Sequence, residues 1–271
     1  MIAWCGSRAD GLGWLSSRCG ALDALEVFET LSIEALEIIC SQRPRRLILA
    51  VDNRLSFPMA EIGYLQRSWP EVPWALALGS WFDGSRRTGM GATSHLSLPW
   101  YRWWDGWRPW LGASNADLLD PWPQLVNTRS RSIPTSGVSI RSSGVILSHC
   151  RQTAEGWQAG LEFPQANSQI LTLRGFRSFV QAASIEPGWI LWDDSCLNTF
   201  SGVECLSDVW GLFRAIRARF PTAVIVAATS MPRWSDWQRW MAAGANELLA
   251  KPSQGILLEE ILLMCHDAAP S

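Results

Sequence analysis

Three short apolar segments in the second half of the chain each end in polar side chains. The segment WILW is followed by Asp193 and Asp194, the segment AVIVAA by Thr229 and Ser230, and the segment ELLA by Lys251. A carboxylate oxygen can act as a nucleophile, a hydroxyl can donate a hydrogen bond to an anion, and an ammonium group neutralises negative charge. Brought together, these groups suit the attachment of a phosphoryl group to a carboxylate.

The three groups can meet if their segments are strands of one sheet. Short apolar runs alternate with helix-period segments along the whole chain, which predicts an α/β fold with parallel sheets covered by helices. Because ligands gather at the carboxyl ends of parallel strands, the polar residues would converge on one edge. The predicted strands are 1–5, 25–29, 46–51, 74–78, 144–147, 169–173, 189–192, 223–228 and 247–250. The predicted helices are 33–40, 59–67, 152–160, 175–183, 203–219, 235–243 and 257–265.

A segment of different composition divides the chain. A length of 271 residues suits two domains of ordinary size. Residues 113–143 are rich in Ser, Pro and Arg, a composition typical of linkers, and they separate residues 1–112 from residues 144–271. The segments GATSHLSLP and GANELLAKP share a Gly-Ala start and a Pro at the same spacing, so the chain reads as one fold written twice.

Composition excludes several classes of function. The formal net charge of −2 provides no global attraction to nucleic acid or to an anionic bilayer. No apolar stretch approaches the roughly 20 residues of a membrane-spanning helix, and the first residues lack the features of a signal peptide. The seven cysteines are scattered without a C-x-x-C pair, which favours a reducing cytoplasm. The sequence therefore predicts a cytoplasmic protein that binds neither membrane nor nucleic acid.

Residues 144–266 resemble a response-regulator receiver domain. In the motif ILWDDSCLNTFSGVE, Asp194 falls on the phospho-acceptor position of that family and Gly202, eight residues later, on its loop glycine. Thr229 matches the family's hydroxyl residue, and AAGANELLAKP matches the stretch that contains Lys251 and Pro252. Lys251 is also the only lysine of the chain, retained where the family needs a compact point charge for which arginine is no equivalent.

The resemblance implies the fold, the function and the partners. The expected fold is α/β, with two tandem doubly wound (flavodoxin-like, receiver-type) parallel five-stranded sheets. The implied function is that of a two-component response regulator without an output domain, which accepts a phosphoryl group on Asp194 from a histidine kinase or a phosphotransfer protein. Thr229 and Lys251 would contact the phosphoryl group. Neither enzymatic activity nor an organic cofactor is expected, since the chain has no G-x-G-x-x-G motif and no P-loop. An enzyme of another doubly wound family remains the third hypothesis.

Two departures from the family leave a second interpretation open. The resemblance implies magnesium bound by an acidic pair after the first strand and by the acceptor, but the chain has Ser148 and His149 at that strand end. Asp193 is a poor substitute, because neighbouring side chains on a strand point to opposite faces. Magnesium binding beyond Asp194 is therefore expected to be weak. Leu248 stands where the family commonly has an aromatic residue. A phosphorylation-independent protein-binding module is the alternative function.

The first half matches the family less well, and a tryptophan-rich segment follows it. Leu98 stands at the lysine position, so residues 1–112 are predicted to be a degenerate pseudo-receiver, in which Asp52 is either a remnant acceptor or a turn residue. Trp103, Trp107 and Trp237 are candidates for a partner surface, since Trp is enriched at interface hot spots. Packing of the same side chains in a core is the other interpretation.

Overall fold

The computed structural model contains two compact units, residues 1–132 and residues 133–271. The structure describes residues 1–28, 44–52, 70–79, 96–113, 143–161, 168–171, 186–198, 206–230 and 232–251, with single helical positions or short runs at 38, 41, 63, 64, 67, 258, 260–262, 264 and 265. Almost all of the predicted linker 113–143 lies outside these residues, so the predicted domain boundaries stay a prediction.

The first unit is built on a five-stranded parallel sheet. Its strands are β1 (Ile2–Gly6), β2 (Leu25–Phe28), β3 (Arg46–Val51), β4 (Trp74–Leu78) and β5 (Leu96–Pro99), in the spatial order β2-β1-β3-β4-β5. Its helices are α1 (Asp10–Leu22), one turn of π-helix (Trp103–Trp107) and α2 (Arg108–Gly112), which continues directly from that turn. All residues of β3 and β4 are buried, as expected for central strands covered on both faces.

The second unit repeats this arrangement. Its strands are β6 (Gly144–Leu147), β7 (Ser168–Leu171), β8 (Trp189–Asp193), β9 (Val224–Ser230) and β10 (Glu247–Lys251), again all parallel, in the order β10-β9-β8-β6-β7. Its helices are α3 (Arg151–Ala159), α4 (Ser195–Asn198), α5 (Leu206–Arg219) and α6 (Trp234–Ala243).

Each sheet has the doubly wound order 2-1-3-4-5. Crossovers between parallel strands are right-handed, so a reversal of direction along the sheet places the connections on opposite faces. The reversal occurs between the first and third strands, which in the second unit are β6 and β8. The predicted fold class, two flavodoxin-like parallel sheets of five strands, is confirmed. In such sheets the carboxyl ends of the strands beside the reversal form the usual binding crevice.

Several predicted elements agree with the structure in their bounds, whereas strand β5 and helices α1 and α4 were not predicted. Strands 46–51, 74–78 and 144–147 are observed as predicted. Helix α1 has no counterpart in the prediction, because its glycines weaken the helical signal. The predicted helices at 33–40, 59–67 and 175–183 lie largely or wholly outside the described residues. In the described part of the chain, no helix is both long and apolar enough to cross a membrane.

The core of the second unit fixes the edge on which the polar residues lie. Trp192 of β8 packs edge-on against Phe213 of α5, with ring centroids 5.3 Å apart, and Phe213 packs in turn against Trp240 of α6 at 5.1 Å. Helix α6 ends at Gly244, whose φ of 106° is left-handed and easily adopted only by glycine. This cap turns the chain into β10 and brings Lys251 to the edge.

The tryptophan-rich segment of the first unit lies in a core rather than at a surface. Trp103 is 3% exposed and Trp107 is fully buried, so the prediction that they form a partner surface is wrong. Trp103 packs edge-on against Trp14 of α1, with ring centroids 6.4 Å apart. Pro109 occupies the first turn of α2, a position at which proline is common. The packing alternative is the correct one for this segment.

Candidate functional site

Polar residues at the ends of three strands meet at the carboxyl edge of the second sheet. Asp193 is the last residue of β8 and Asp194 follows it, Ser230 ends β9, and Lys251 ends β10. The strand register places Ser230 directly opposite Lys251. The sequence predicted that an acid, a hydroxyl and an amine converge on this edge, and of these Asp194 and Lys251 are in contact.

Lys251 contacts two carboxylates at once. Its Nζ donates a hydrogen bond to Oδ1 of Asp194 and a second one to Oδ2 of Asp193 at 3.2 Å. The Lys251 side chain is 19% exposed, the Asp194 side chain 18% and the Asp193 side chain 0%. The ammonium therefore bridges one fully buried carboxylate and one that reaches solvent.

Backbone groups of β9 hold Asp194 in place. The N–H of Ser230 donates to Oδ2 of Asp194 at 2.7 Å, and the N–H of Asp194 donates to the carbonyl oxygen of Ala228 at 2.8 Å. Each carboxylate oxygen of Asp194 thus accepts a hydrogen bond, one from a backbone amide and one from an ammonium. A group attached to this carboxylate would emerge between the same two donors.

Asp193 is held from three directions within the second unit. The indole Nε1 of Trp157 in α3 donates to its Oδ2 at 3.4 Å, and the N–H of Ser195 donates to its Oδ1 at 2.9 Å. Lys251 is the third donor. The sequence analysis discounted Asp193 because strand neighbours point to opposite faces. The structure differs, because β8 ends at Asp193 and the next residue turns toward β9, so both carboxylates reach the same ammonium.

The carboxylates shift the pKa of Lys251. Burial lowers this pKa, but the hydrogen bond to Asp194 and the negative charges of both carboxylates raise it by more, so the net effect is a pKa above the ordinary value. The side chain is therefore a stable cation at neutral pH. This is the charge state that stabilises an anion at the Asp194 carboxylate.

Thr229 stands one residue before the backbone amide that contacts Asp194. It pairs in register with Ala250, whereas Ser230 pairs with Lys251. Because neighbouring strand residues alternate between faces, Thr229 and Lys251 leave the sheet on opposite sides. Leu248 is buried in the core that includes Trp240. The predicted role of Thr229 stays a prediction.

The end of β6 carries hydroxyl groups where a magnesium site would need carboxylates. Ser148 Oγ lies 3.1 Å from Ser195 Oγ, which also accepts a hydrogen bond from the backbone N–H of His149 at 3.1 Å. Across the described ranges, no group of three or more His, Cys, Asp or Glu residues could hold a metal ion. The oxygens of Asp193 and Asp194 already accept hydrogen bonds from the protein. The residues present therefore do not fit a magnesium ion in this arrangement.

The remaining predicted site residues contribute less. Asp52 follows β3 in the first unit and is half-buried, and its role is open between remnant acceptor and turn residue. At the same edge of that unit, Leu98 and Leu78 are apolar and buried. Gly202 and Pro252 lie outside the described residues. Trp237 is partly buried against the core of the second unit and stacks on Trp234, with centroids 4.5 Å apart.

Sequence reasoning missed Ser195 and Trp157 and dismissed Asp193. A signal existed for Ser195, because an Asp side chain commonly accepts a hydrogen bond from the backbone N–H two residues later. The contact from Trp157 had no sequence signal, since it joins a helix to a strand end 36 residues away.

The comparisons with known proteins concern about half of the chain. The sequence matches no family model and no curated protein. Among solved structures, it is similar to a response regulator from Thermotoga maritima, with 19% identity, 45% of this chain and 98% of that chain covered, and a TM-score of 0.36. It is also similar to a CheY-like receiver domain protein from Methanospirillum hungatei JF-1 (15% identity, 46% and 94% covered, TM-score 0.38) and to a two-component response regulator from Clostridium difficile (16% identity, 48% and 99% covered, TM-score 0.38). The proteins to which this chain is similar over about half its length are thus response-regulator receiver domains, the family predicted from the motif around Asp194.

Proposed function

We propose that the second unit is a receiver-like signalling module in which the Asp194 carboxylate accepts a phosphoryl group. The observation that carries the proposal is the pair of donors on this carboxylate, the Lys251 ammonium and the Ser230 amide. Preorganised donors of this kind stabilise negative charge on a transferring phosphoryl group. The first unit, in which Leu98 stands at the position of Lys251, would serve as a pseudo-receiver that binds protein.

The proposed reaction is a single phosphoryl transfer. A carboxylate oxygen of Asp194 attacks the phosphorus of a phosphohistidine in a histidine kinase or phosphotransfer protein. The bond from phosphorus to the histidine nitrogen breaks, the new bond from phosphorus to the Asp194 oxygen forms, and the imidazole leaves and takes up a proton from solvent. Lys251 and the Ser230 amide would stabilise the phosphoryl oxygens. No step passes through a metal ion, and no reaction other than this phosphoryl transfer is proposed.

Acetyl phosphate tests this proposal. We expect incubation of the full chain with millimolar reagent to attach one phosphoryl group, detected by intact mass spectrometry, and to change the tryptophan fluorescence through Trp157 beside the site. Labelling should be slow, and its rate should be the same in buffer with magnesium and in buffer with EDTA, because the site does not fit a magnesium ion. The isosteric variant Asp194→Asn should not be labelled, whereas Asp236→Asn, at the start of α6, should behave as wild type. Labelling that survives Asp194→Asn would place the phosphoryl group elsewhere and refute the proposal.

A phosphorylation-independent binding module is the second candidate. It is favoured by one specific observation, that all four oxygens of Asp193 and Asp194 already accept hydrogen bonds from the protein. Such a site can be stable and complete without a phosphoryl group. This candidate predicts a stable protein partner in pull-downs that is retained by Asp194→Asn and weakened by Trp237→Ala. Loss of the partner in Asp194→Asn would count against it.

A further inference from the structure

The Asp193 carboxylate is fully buried and lies behind the proposed acceptor. Its side chain has no exposed surface, while Asp194 and Lys251 are each about one-fifth exposed. A buried carboxylate is costly unless it is paired with a cation and satisfied by hydrogen bonds. Asp193 meets both conditions, since Lys251 supplies the cation and the Trp157 indole and the Ser195 amide donate further hydrogen bonds to its carboxylate oxygens.

The donors to Asp193 come from three different elements. Trp157 belongs to α3, the Ser195 amide stands at the start of α4, and Lys251 ends β10. Asp193 itself ends the central strand β8, which pairs with a strand on each side. The carboxylate is therefore fixed relative to the sheet and gives the ammonium a fixed point of attachment.

Lysine needs such an attachment more than arginine would. Its ammonium is a point charge at the end of a flexible four-carbon stem, and ordering that stem costs conformational entropy. Asp194 alone is a poor anchor, because phosphorylation would change the geometry and the charge of the very group to which the ammonium is bound. A second carboxylate that does not react can hold the ammonium in place before and after the transfer.

We propose that Asp193 is a positioning residue that holds the Lys251 ammonium against the Asp194 carboxylate. This inference rests on the proposed function, in which Lys251 is the charge partner of the phosphoryl group. Asp193 thus fixes the position of the ammonium without reacting itself. The end of β6 could not supply a carboxylate for this purpose, because Ser148 and His149 stand there. The site then needs two adjacent aspartates rather than one.

The single lysine of the chain makes the test direct. Protein labelled with ¹⁵N-lysine gives one side-chain ammonium signal, that of Lys251. In wild-type full-length protein we expect a protected signal with slow hydrogen exchange. In Asp193→Asn, which keeps the size of the side chain but removes its charge, the exchange rate should rise about tenfold or more, as expected from the loss of a charged hydrogen bond. An exchange rate in Asp193→Asn equal to that of wild type would overturn the proposal.

Two further variants keep the result interpretable. Glu155→Gln removes a carboxylate that pairs with Arg151 on the surface of α3, and it should leave the ammonium signal unchanged. Asp194→Asn should keep most of the protection, because Asp193 still holds the ammonium. If Asp193→Asn does not fold, Asp194→Asn decides alone, and an ammonium as unprotected as that of free lysine in this variant would overturn the proposal.

The outcome is separable from the test of the proposed function. The ammonium signal is measured without any phosphoryl donor, so a protected Lys251 in a protein that acetyl phosphate does not label would refute the proposed function only. An unprotected Lys251 in a protein that is labelled on Asp194 would refute the positioning role only. If the proposed function and the positioning role are both correct, Asp193→Asn should also lower the rate of labelling by about tenfold, because loss of the hydrogen bond raises the activation free energy of phosphoryl transfer. Glu155→Gln should leave the rate unchanged.

Discussion

At the scale of single residues, the chemistry of the second unit depends on one cation. The Nζ of Lys251 donates hydrogen bonds to the buried carboxylate of Asp193 and to the partly exposed carboxylate of Asp194. Removing one partner of a buried ion pair is far more costly than removing an exposed charge, because the remaining charge is left uncompensated. Stability and the proposed phosphoryl transfer would therefore depend on the same side chain.

The variant Lys251→Met tests this dependence through stability. Near neutral pH we expect the free energy of unfolding of the second unit to fall by about 3 kcal/mol, because Asp193 loses its cation. Arg239→Met, which removes an exposed cation on α6, should change it by less than about 0.5 kcal/mol. Urea denaturation followed by tryptophan fluorescence measures both. Equal effects of the two substitutions would contradict the account.

The raised pKa of Lys251 gives this stabilisation a definite pH range. A cation whose pKa is higher in the folded state stabilises fully below its unfolded pKa of 10.5, and the contribution is lost as pH rises through the folded value. The difference between wild type and Lys251→Met should therefore be constant around neutral pH and narrow above pH 10.5. If the difference in free energy of unfolding between wild type and Lys251→Met instead increased at alkaline pH, the pKa of Lys251 would not be raised by folding.

At the scale of elements, close contacts between neighbouring strands set the register that aligns the site. Gly144 of β6 lies opposite Trp189 of β8, and a Cβ on Gly144 would overlap the indole ring. The missing side chain lets the ring lie across the neighbouring strand. Because register errors move every side chain of a strand to the other face, this contact helps to place Asp193 correctly.

Gly144→Ala tests the contact against a matched glycine. We expect it to lower the free energy of unfolding by about 1–3 kcal/mol, the usual cost of overpacking a core. Gly156→Ala, in the exposed part of α3 where an added Cβ meets nothing within 4 Å, should raise it by up to about 1 kcal/mol through helix propensity. Thermal and urea unfolding report both changes, and destabilisation of the same size in both variants would rule out a specific clash with Trp189.

At the scale of the whole molecule, one fold occurs twice, whereas the single lysine of the chain lies in the second unit only. Both units have five parallel strands in the same order. In the first unit, Leu98 stands at the position of Lys251 and is buried, and Leu78 is buried at the end of β4. The layers of strand and helix can thus be retained while the chemistry at the strand ends is lost, because the core and the edge are formed by different residues.

The division into units predicts that the second one folds alone. Residues 133–271, expressed as a fragment, should unfold cooperatively in urea and should show the same protected Lys251 ammonium signal as the full chain, because both carboxylates that bind Lys251 belong to that unit. Far-UV circular dichroism and the ¹⁵N-lysine spectrum are the measurements. A fragment without a cooperative transition would show that its core is incomplete.

The sequence by itself predicted every described strand except β5, and it predicted the polar residues that end three of those strands. Runs of apolar residues such as 46–51 and 144–147 specify buried strands locally, and parallel strands bring their carboxyl ends to one edge. Only the tertiary structure decided that Asp193 shares the ammonium of Lys251, that Trp103 is buried, and that the glycine-containing segment of α1 is helical. These features depend on where the chain turns after a strand and on which distant element packs against it, and neither is encoded in local periodicity.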